Sequence, residues 1–232
     1  MLPTQEAYGE LQTAYDHFNQ ALFDNVLPAC LITLQRDKRT YGYFASERFV
    51  NGVGHKTDEI AMNPAYFAVI QPVEVMQTLV HEMVHLWQFH FGKPGRRGYH
   101  NKEWAAKMEG LGLMPSDTGQ EGGRKVGEKM SDYVLSGGAF DQACAALFTA
   151  DFAITWKDRF PVKAQLEQAV AGTVEGVDPS DLTLMGIEVQ PTESKATRRK
   201  YSCPTCHINA WGKPSLHLVC GACQETLVDV GG

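Results

Sequence analysis

The chain has 232 residues, of which 44% are hydrophobic and 21% charged, with a formal net charge of -6. That length can bury a core and still leave room for a small appendage, and the composition excludes a largely disordered or fibrous protein. The acidic balance excludes a uniformly basic nucleic-acid binder, yet residues 191–232 carry five cationic side chains against three carboxylates, a tail of +2 on a body of −8.

The first residues, MLPTQEAYGELQ, lack the basic start and apolar stretch of an export signal. No apolar run reaches the roughly 18–20 residues of a membrane span, so the expectation is a cytoplasmic protein without a membrane partner. Residues 5–24 place Tyr8, Leu11, Tyr15, Phe18 and Leu22 at three- and four-residue intervals, which predicts an amphipathic helix closed by DNVLP. CLITLQRDKRTYGYFASERFV reads as two strands of a hairpin, NGVGHKTDE as a loop and IAMNP as a short strand, together a small antiparallel sheet. GVGHKT lacks the glycine spacing of a phosphate loop and has no long helix directly after it.

Gln71-Pro72 opens a long helix running to Gly92, with Pro72 suited to the first position and Glu74 to the positive end of the dipole. Val73, Met76, Leu79, Val80, Met83, Val84 and Trp87 form its broad apolar stripe. GKPGRRG is a loop, and HNKEWAAKMEGLG opens a shorter helix. Residues 114–138 hold six of the 22 glycines and read as a long loop around GEKMSDYVL. FDQACAALF reads as a helix and FAITWKDRF as a strand, and residues 171–200 as a linker of weak structure.

Within the long helix lies His81-Glu82-x-x-His85. Four residues along a helix turn about 400°, so the two histidines project from one face about 40° apart. Their nitrogens can reach one ion at about 2.0–2.1 Å. Glu82 sits about 100° from His81 and about 60° from His85, flanking the pair where a carboxylate can take a proton from water. A chance match in a core helix is the plain alternative, but buried imidazoles need partners and a metal supplies them. His100 opens the following helix and can return a third nitrogen, completing the three-ligand arrangement of a catalytic zinc. His90 lies about 180° round the helix from His81 and faces away; His17 and His55 read as surface or packing residues.

The stretch TLVHEMVHLWQFHFGKPGRRGYHNKEW resembles the SprT-like (Spartan-like) zinc metalloproteases. Fourteen residues separate His85 from His100, and Trp104 takes the aromatic place soon after. YGYFASERF and EIAMNP resemble the strand pair before that family's metal helix. The resemblance covers about residues 5–112 and the terminal cysteines; the glycine-rich stretch 114–140 has no clear counterpart in the eukaryotic members, resembles a bacterial, plasmid- or phage-borne branch, and takes no function from the family. It implies that His81, His85 and His100 bind a catalytic zinc and that Glu82 is the general base of peptide hydrolysis. Tyr99, Arg96, Arg97 and Tyr133 are candidates for stabilising the oxyanion.

Cys203-x2-Cys206, thirteen residues, then Cys220-x2-Cys223 present four thiolates in two knuckles, the pattern of a structural zinc ribbon. A redox dithiol needs only one pair, and four cysteines leave His207 and His217 no vacancy. Cys30 and Cys144 read as small core residues. Trp211 and Lys213 lie between the knuckles, with Arg198, Arg199 and Lys200 just before them. Such a set can stack on bases and meet phosphates, or Trp211 can pack the ribbon core while the charges are solvated. SprT-like proteins often pair the protease with such a ribbon, which implies DNA contact.

The expected architecture is α+β: a zincin-like domain with a small antiparallel sheet and the HExxH helix, followed by a four-cysteine zinc ribbon. Its boundaries are 1–170 for the protease domain (core about 5–112, extension 113–170), 171–200 for the linker and 201–232 for the ribbon. The expected function is a zinc endopeptidase cleaving DNA-associated or DNA-crosslinked proteins, with one catalytic and one structural zinc and DNA, single-stranded DNA among its forms, as a partner. The alternatives are a non-proteolytic zinc amide hydrolase and a non-catalytic nucleic-acid-binding or regulatory protein.

Overall fold

The computed structural model describes residues 2–37, 40–150, 152–187 and 198–231. It divides into two compact units, Met1–Val189 and Gln190–Gly232. The first mixes helices with small sheets and the second, among the described residues, is a small sheet, together the expected α+β architecture. No helix among the described residues is long and apolar enough to cross a membrane.

In the first unit, α1 (Pro3–Leu22) buries Leu11, Tyr15, Phe18 and Leu22 of the predicted stripe, while Tyr8, its first member, is exposed. Three strands follow: β1 (Leu31–Leu34), β2 (Gly42–Val50) and β3 (Lys56–Met62). The first two do not form the expected hairpin. The order is β1-β3-β2, with β1 parallel and β2 antiparallel to β3, so the sheet is mixed. The cause lies in β3, whose Ile60, Ala61 and Met62 are all buried. A strand apolar on both faces belongs in the centre of a sheet, and β3 starts at Lys56, inside the stretch expected to be a loop.

The long helix α2 (Pro72–Phe91) packs on this sheet, with Glu74 Oε2 accepting from the Gln71 backbone N–H at 3.2 Å. Helix α3 (Lys102–Gly110) starts at Asn101, whose Oδ1 accepts from the backbone of Glu103 and Trp104 at 3.1 and 3.0 Å. The glycine-rich stretch expected to be a loop contains a hairpin instead. There β4 (Leu113–Ser116) pairs antiparallel with β5 (Ser131–Val134), joining Pro115 to Asp132. Helix α4 (Ala139–Thr149) then returns to α1, stacking Phe140 on Phe18 at 5.7 Å.

Residues 152–160 form no strand. This segment is held by side chains instead: Glu10 accepts from the Thr155 backbone at 2.9 Å, Glu6 from Trp156 Nε1 at 2.9 Å, and Asp158 pairs with Arg36. Helices α5 (Lys163–Val170) and α6 (Pro179–Leu184) close the unit. The latter falls where a linker was expected. Its Leu182 buries with Leu166, Ala169, Ala68 and Val69 in a separate small core, so three or four apolar residues suffice where a pre-existing surface receives them. The remainder of the expected linker, residues 188–197, lies outside the described residues.

The second unit is a three-stranded antiparallel sheet of β6 (Arg199–Ser202), β7 (Asn209–Gly212) and β8 (Val228–Gly231), in the order β7-β6-β8. Its core is only Tyr201, Cys203, Cys220 and Leu227. So small a core needs a staple.

Candidate functional site

Helix α2 delivers His81 and His85 from one face, and the turn before α3 delivers His100. The three ring nitrogens converge: His81 Nε2 stands 3.3 Å and His85 Nε2 3.0 Å from His100 Nε2. Trp104 packs on all three imidazoles, with centroids 4.4–5.4 Å away. The other nitrogen of two of these rings is already engaged, His81 Nδ1 with Asp132 Oδ2 at 2.9 Å and His100 Nδ1 with the Gly127 carbonyl at 3.2 Å.

This arrangement tests whether a metal fits. A carboxylate and a carbonyl only accept, so each Nδ1 carries the proton and each Nε2 a lone pair. Lone pairs facing each other across 3.3 Å, in a buried place, want a cation between them. Tetrahedral nitrogen ligands at about 2.0–2.1 Å from a zinc ion stand about 3.3 Å apart, so the spacing fits as well as the chemistry.

For two of the three rings the electrostatics point the same way. Burial, with His81 and then His100 beside it, drives the His85 pKa well below its usual range, and burial with His81 takes His100 down to about 4. Both therefore present neutral, ligating imidazoles. Burial disfavours charge on His81 too, but its hydrogen bond to Asp132 and the charges of Glu82 and Asp132 outweigh that and raise its pKa. Burial raises the Glu82 carboxyl to about 7, with His81 opposing and Asp132 adding to the rise. A carboxyl at about 7 exchanges protons near neutral pH, as a general base must.

Glu82 and His81 open into a cleft of about 560 Å³. Its walls are the start of β2 (Tyr41, Gly42), the first half of α2 and the β5 strand (Asp132, Tyr133). Every charged residue in the wall, Glu74, Glu82, Asp132 and Asp141, is acidic. Of the oxyanion candidates only Tyr133 lines this cleft. Arg96 instead pairs with Glu128 and lies over the Tyr99 ring at 5.2 Å.

His90 stays outside the cluster. Its Nε2 meets Asp58 Oδ2 at 2.7 Å, while Asp58 Oδ1 accepts from the Glu47 backbone at 2.7 Å. Glu47 has a positive φ of 47° at the register shift of β2, so this pair ties a strand irregularity to α2. His17 Nε2 meets the Ala143 carbonyl at 2.8 Å, and His55 is exposed.

Sequence reasoning missed Asp132, Gly127 and Gln77. Gln77 Nε2 donates to both Asp132 Oδ1 and the Asp132 carbonyl at 2.7 Å. One signal was available: an aspartate at the start of the short β-prone run DYVL, inside a stretch otherwise rich in glycine.

In the second unit the four cysteine sulfurs lie within 4.8 Å of one another. Each knuckle closes with the backbone N–H four residues after its first cysteine: His207 donates to the Cys203 carbonyl at 3.0 Å and Gln224 to the Cys220 carbonyl at 2.8 Å. Both closing residues have positive φ, 58° and 56°, so His207 serves the turn. Backbone N–H groups of Cys223 and Ala222 bring the Cys220 thiol down to about 7, whereas the neighbouring sulfurs, Cys206 first, push Cys223 up to about 12. Crowded thiolates of this kind are relieved by a cation.

The tail residues are divided. Trp211 is 62% exposed, which excludes it from the ribbon core. It pairs across strands with Lys200, and Arg198 and Lys213 are exposed. Arg199 is engaged with Asp229 at 3.0 Å.

Two histidines and a glutamate on one helix, joined by a third histidine from the following turn and opening into a cleft, define a metallohydrolase-like centre. The sequence model of the SprT-like family matches residues 11–121. The chain is 63% identical over 60 residues to an uncharacterized protein in the mucB 3′ region of Salmonella typhimurium, a match covering 25% of this chain and 81% of that protein. No solved structure matches. The chain belongs to the SprT-like family.

Proposed function

We propose that the protein is a zinc-dependent endopeptidase that cleaves proteins associated with or crosslinked to DNA. The observation that carries this reading is the convergence of His81, His85 and His100 at 3.0–3.3 Å, with Glu82 beside them in the cleft. The histidine nitrogens would hold one zinc ion and the four cysteines a second. Bound at the histidines, zinc supplies Lewis acidity, making water more acidic and polarising the scissile carbonyl.

The rest falls to the chain. Glu82 takes the proton of the attacking water on a carboxylate oxygen and returns it to the leaving nitrogen. Its burial raises its pKa, which makes it a stronger base for that proton. The cleft between β2 and β5 receives and orients the peptide.

The ribbon supplies the DNA contact. Trp211 offers an exposed ring for a base, and Lys200, Lys213 and Arg198 offer charge to phosphates. We place the protein in the cytoplasm, where thiols stay reduced and available to metal.

The test is cleavage of a DNA-binding protein by purified full-length protein, with and without single-stranded DNA, beside Glu82→Gln, with metal content measured on both. Cleavage lost in Glu82→Gln while about two zinc ions are retained supports the reading. No cleavage by the unaltered protein with both ions bound overturns it in favour of a binding or regulatory role.

A further inference from the structure

We propose that Asp132 is a positioning residue of the histidine centre: it holds the His81 ring with Nε2 free for metal, so the β4–β5 hairpin completes the site. The inference rests on reading the three histidines as a metal centre. It concerns a residue beyond the stretch 11–121 that matches the family.

A neutral imidazole has one N–H and one lone pair, and the partner of one nitrogen decides which the other presents. At His81 that partner is Asp132 Oδ2, at 2.9 Å from Nδ1. Asp132 is only 7% exposed and cannot swing away. Its second oxygen and its carbonyl both accept from Gln77 Nε2 at 2.7 Å. Gln77 precedes His81 by four residues on α2, so one helix face presents both the ligand and the group that anchors its partner. Behind Asp132, pairing of β5 with β4 holds the backbone at Pro115. The same segment serves His100 through the Gly127 carbonyl, with reciprocal backbone bonds between residues 100 and 127 at 2.8 and 3.1 Å. Two of the three ring orientations are therefore set from residues 127–132.

Asparagine at this position is informative because it keeps the size and loses one acceptor. If its amide nitrogen faces Gln77, two donors collide. If it faces His81, Nδ1 must accept, the ring proton moves to Nε2, and the lone pair directed at the metal position is lost.

The test uses full-length protein and Asp132→Asn. Ring ¹⁵N resonances of the metal-free protein, taken above the His81 titration, report its tautomer. Zinc titration against a chromophoric chelator reports affinity, with the four-cysteine site as internal reference. The expected result is Nδ1–H on His81 in the unaltered protein, Nε2–H in Asp132→Asn, and a histidine site weakened about 10–100-fold while the cysteine site keeps its affinity. Nε2–H on His81 in the unaltered protein, which needs no variant to fold, overturns the proposal. So does a histidine-site affinity in folded Asp132→Asn within about twofold of the original. Failure of the unaltered protein to bind zinc at its histidines would strike the metal-centre reading, while the tautomer would still report on Asp132.

Discussion

Trp104 stacks on His85 with ring centroids 5.4 Å apart and planes 23° from parallel, and it is fully buried. Helix α3 thus braces the rings carried by α2, and the indole is the wall that holds the three imidazoles together. Its Nε1 has no hydrogen-bond partner among the described residues. Trp104→Ala is expected to cost about 3–5 kcal/mol and to scatter the histidines. Trp104→Phe keeps a ring in place and removes the unpaired N–H, so it should cost clearly less. Urea unfolding of the two variants gives the order directly; equal losses would contradict the bracing role.

Asn101 joins the start of α3 to α2, capping Trp104 and accepting from Gln88 Nε2 at 2.8 Å. Asn101→Ala should destabilise the first unit by about 1–2 kcal/mol and weaken metal retention, since His100 directly precedes the cap. Melting curves with and without added zinc check both parts.

Gly42 sits where β2 passes over α2 beside the cleft. A Cβ there would lie 2.9 Å from both the Ala61 carbonyl oxygen and Thr78 Cγ2, and 3.5 Å from Glu82 Cγ. Neither the backbone oxygen nor the β-branched threonine gives way easily. Gly42→Ala is therefore expected to cost about 1–3 kcal/mol and, under the proposed peptidase activity, to lower kcat more than it raises KM, because the displaced Thr78 lies one turn before Glu82 on α2. Steady-state kinetics beside a melting curve would show it.

Glu103 accepts from the Lys93 backbone N–H at 2.6 Å and from Gln88 Nε2 at 2.8 Å. These bonds, the Lys93 N–H first, hold its carboxyl below the usual range. A carboxyl depressed on folding adds stability above its unfolded pKa of about 4.3, and loses it as pH falls through the folded value. Glu103→Gln should therefore narrow the stability gap to the unaltered protein as the pH drops from 6 toward about 3. A constant gap across that range would remove Glu103 from the acid response.

The ribbon should depend on metal far more than the first unit does, since its core holds two cysteines among four residues. Chelation, or Cys203→Ser, is expected to collapse the NMR dispersion of residues 198–231 while leaving the signals of the first unit dispersed. Loss of metal should come more readily at lower pH, because thiolates must be protonated to leave.

The sequence by itself determined what depends on local spacing. His81 and His85 share a face because four residues nearly close a helical turn, α1 and α2 follow from apolar periodicity, and each cysteine knuckle needs only a short turn. His90 was excluded by the same arithmetic, and its bond to Asp58 shows where it points instead. Tertiary structure alone decided the rest. The pairing of β1 with β3 rather than β2 depends on which strand is buried on both faces, a property of the whole sheet. The glycine-rich stretch became a hairpin because β4 and β5 found each other across fourteen intervening residues, 117–130, a pairing that local propensity cannot signal. Residues 179–184 became a helix because a small apolar surface was there to receive Leu182. Asp132 reaches His81 over 51 residues of chain, and no period in the sequence links two side chains whose meeting depends on how a hairpin folds over a helix.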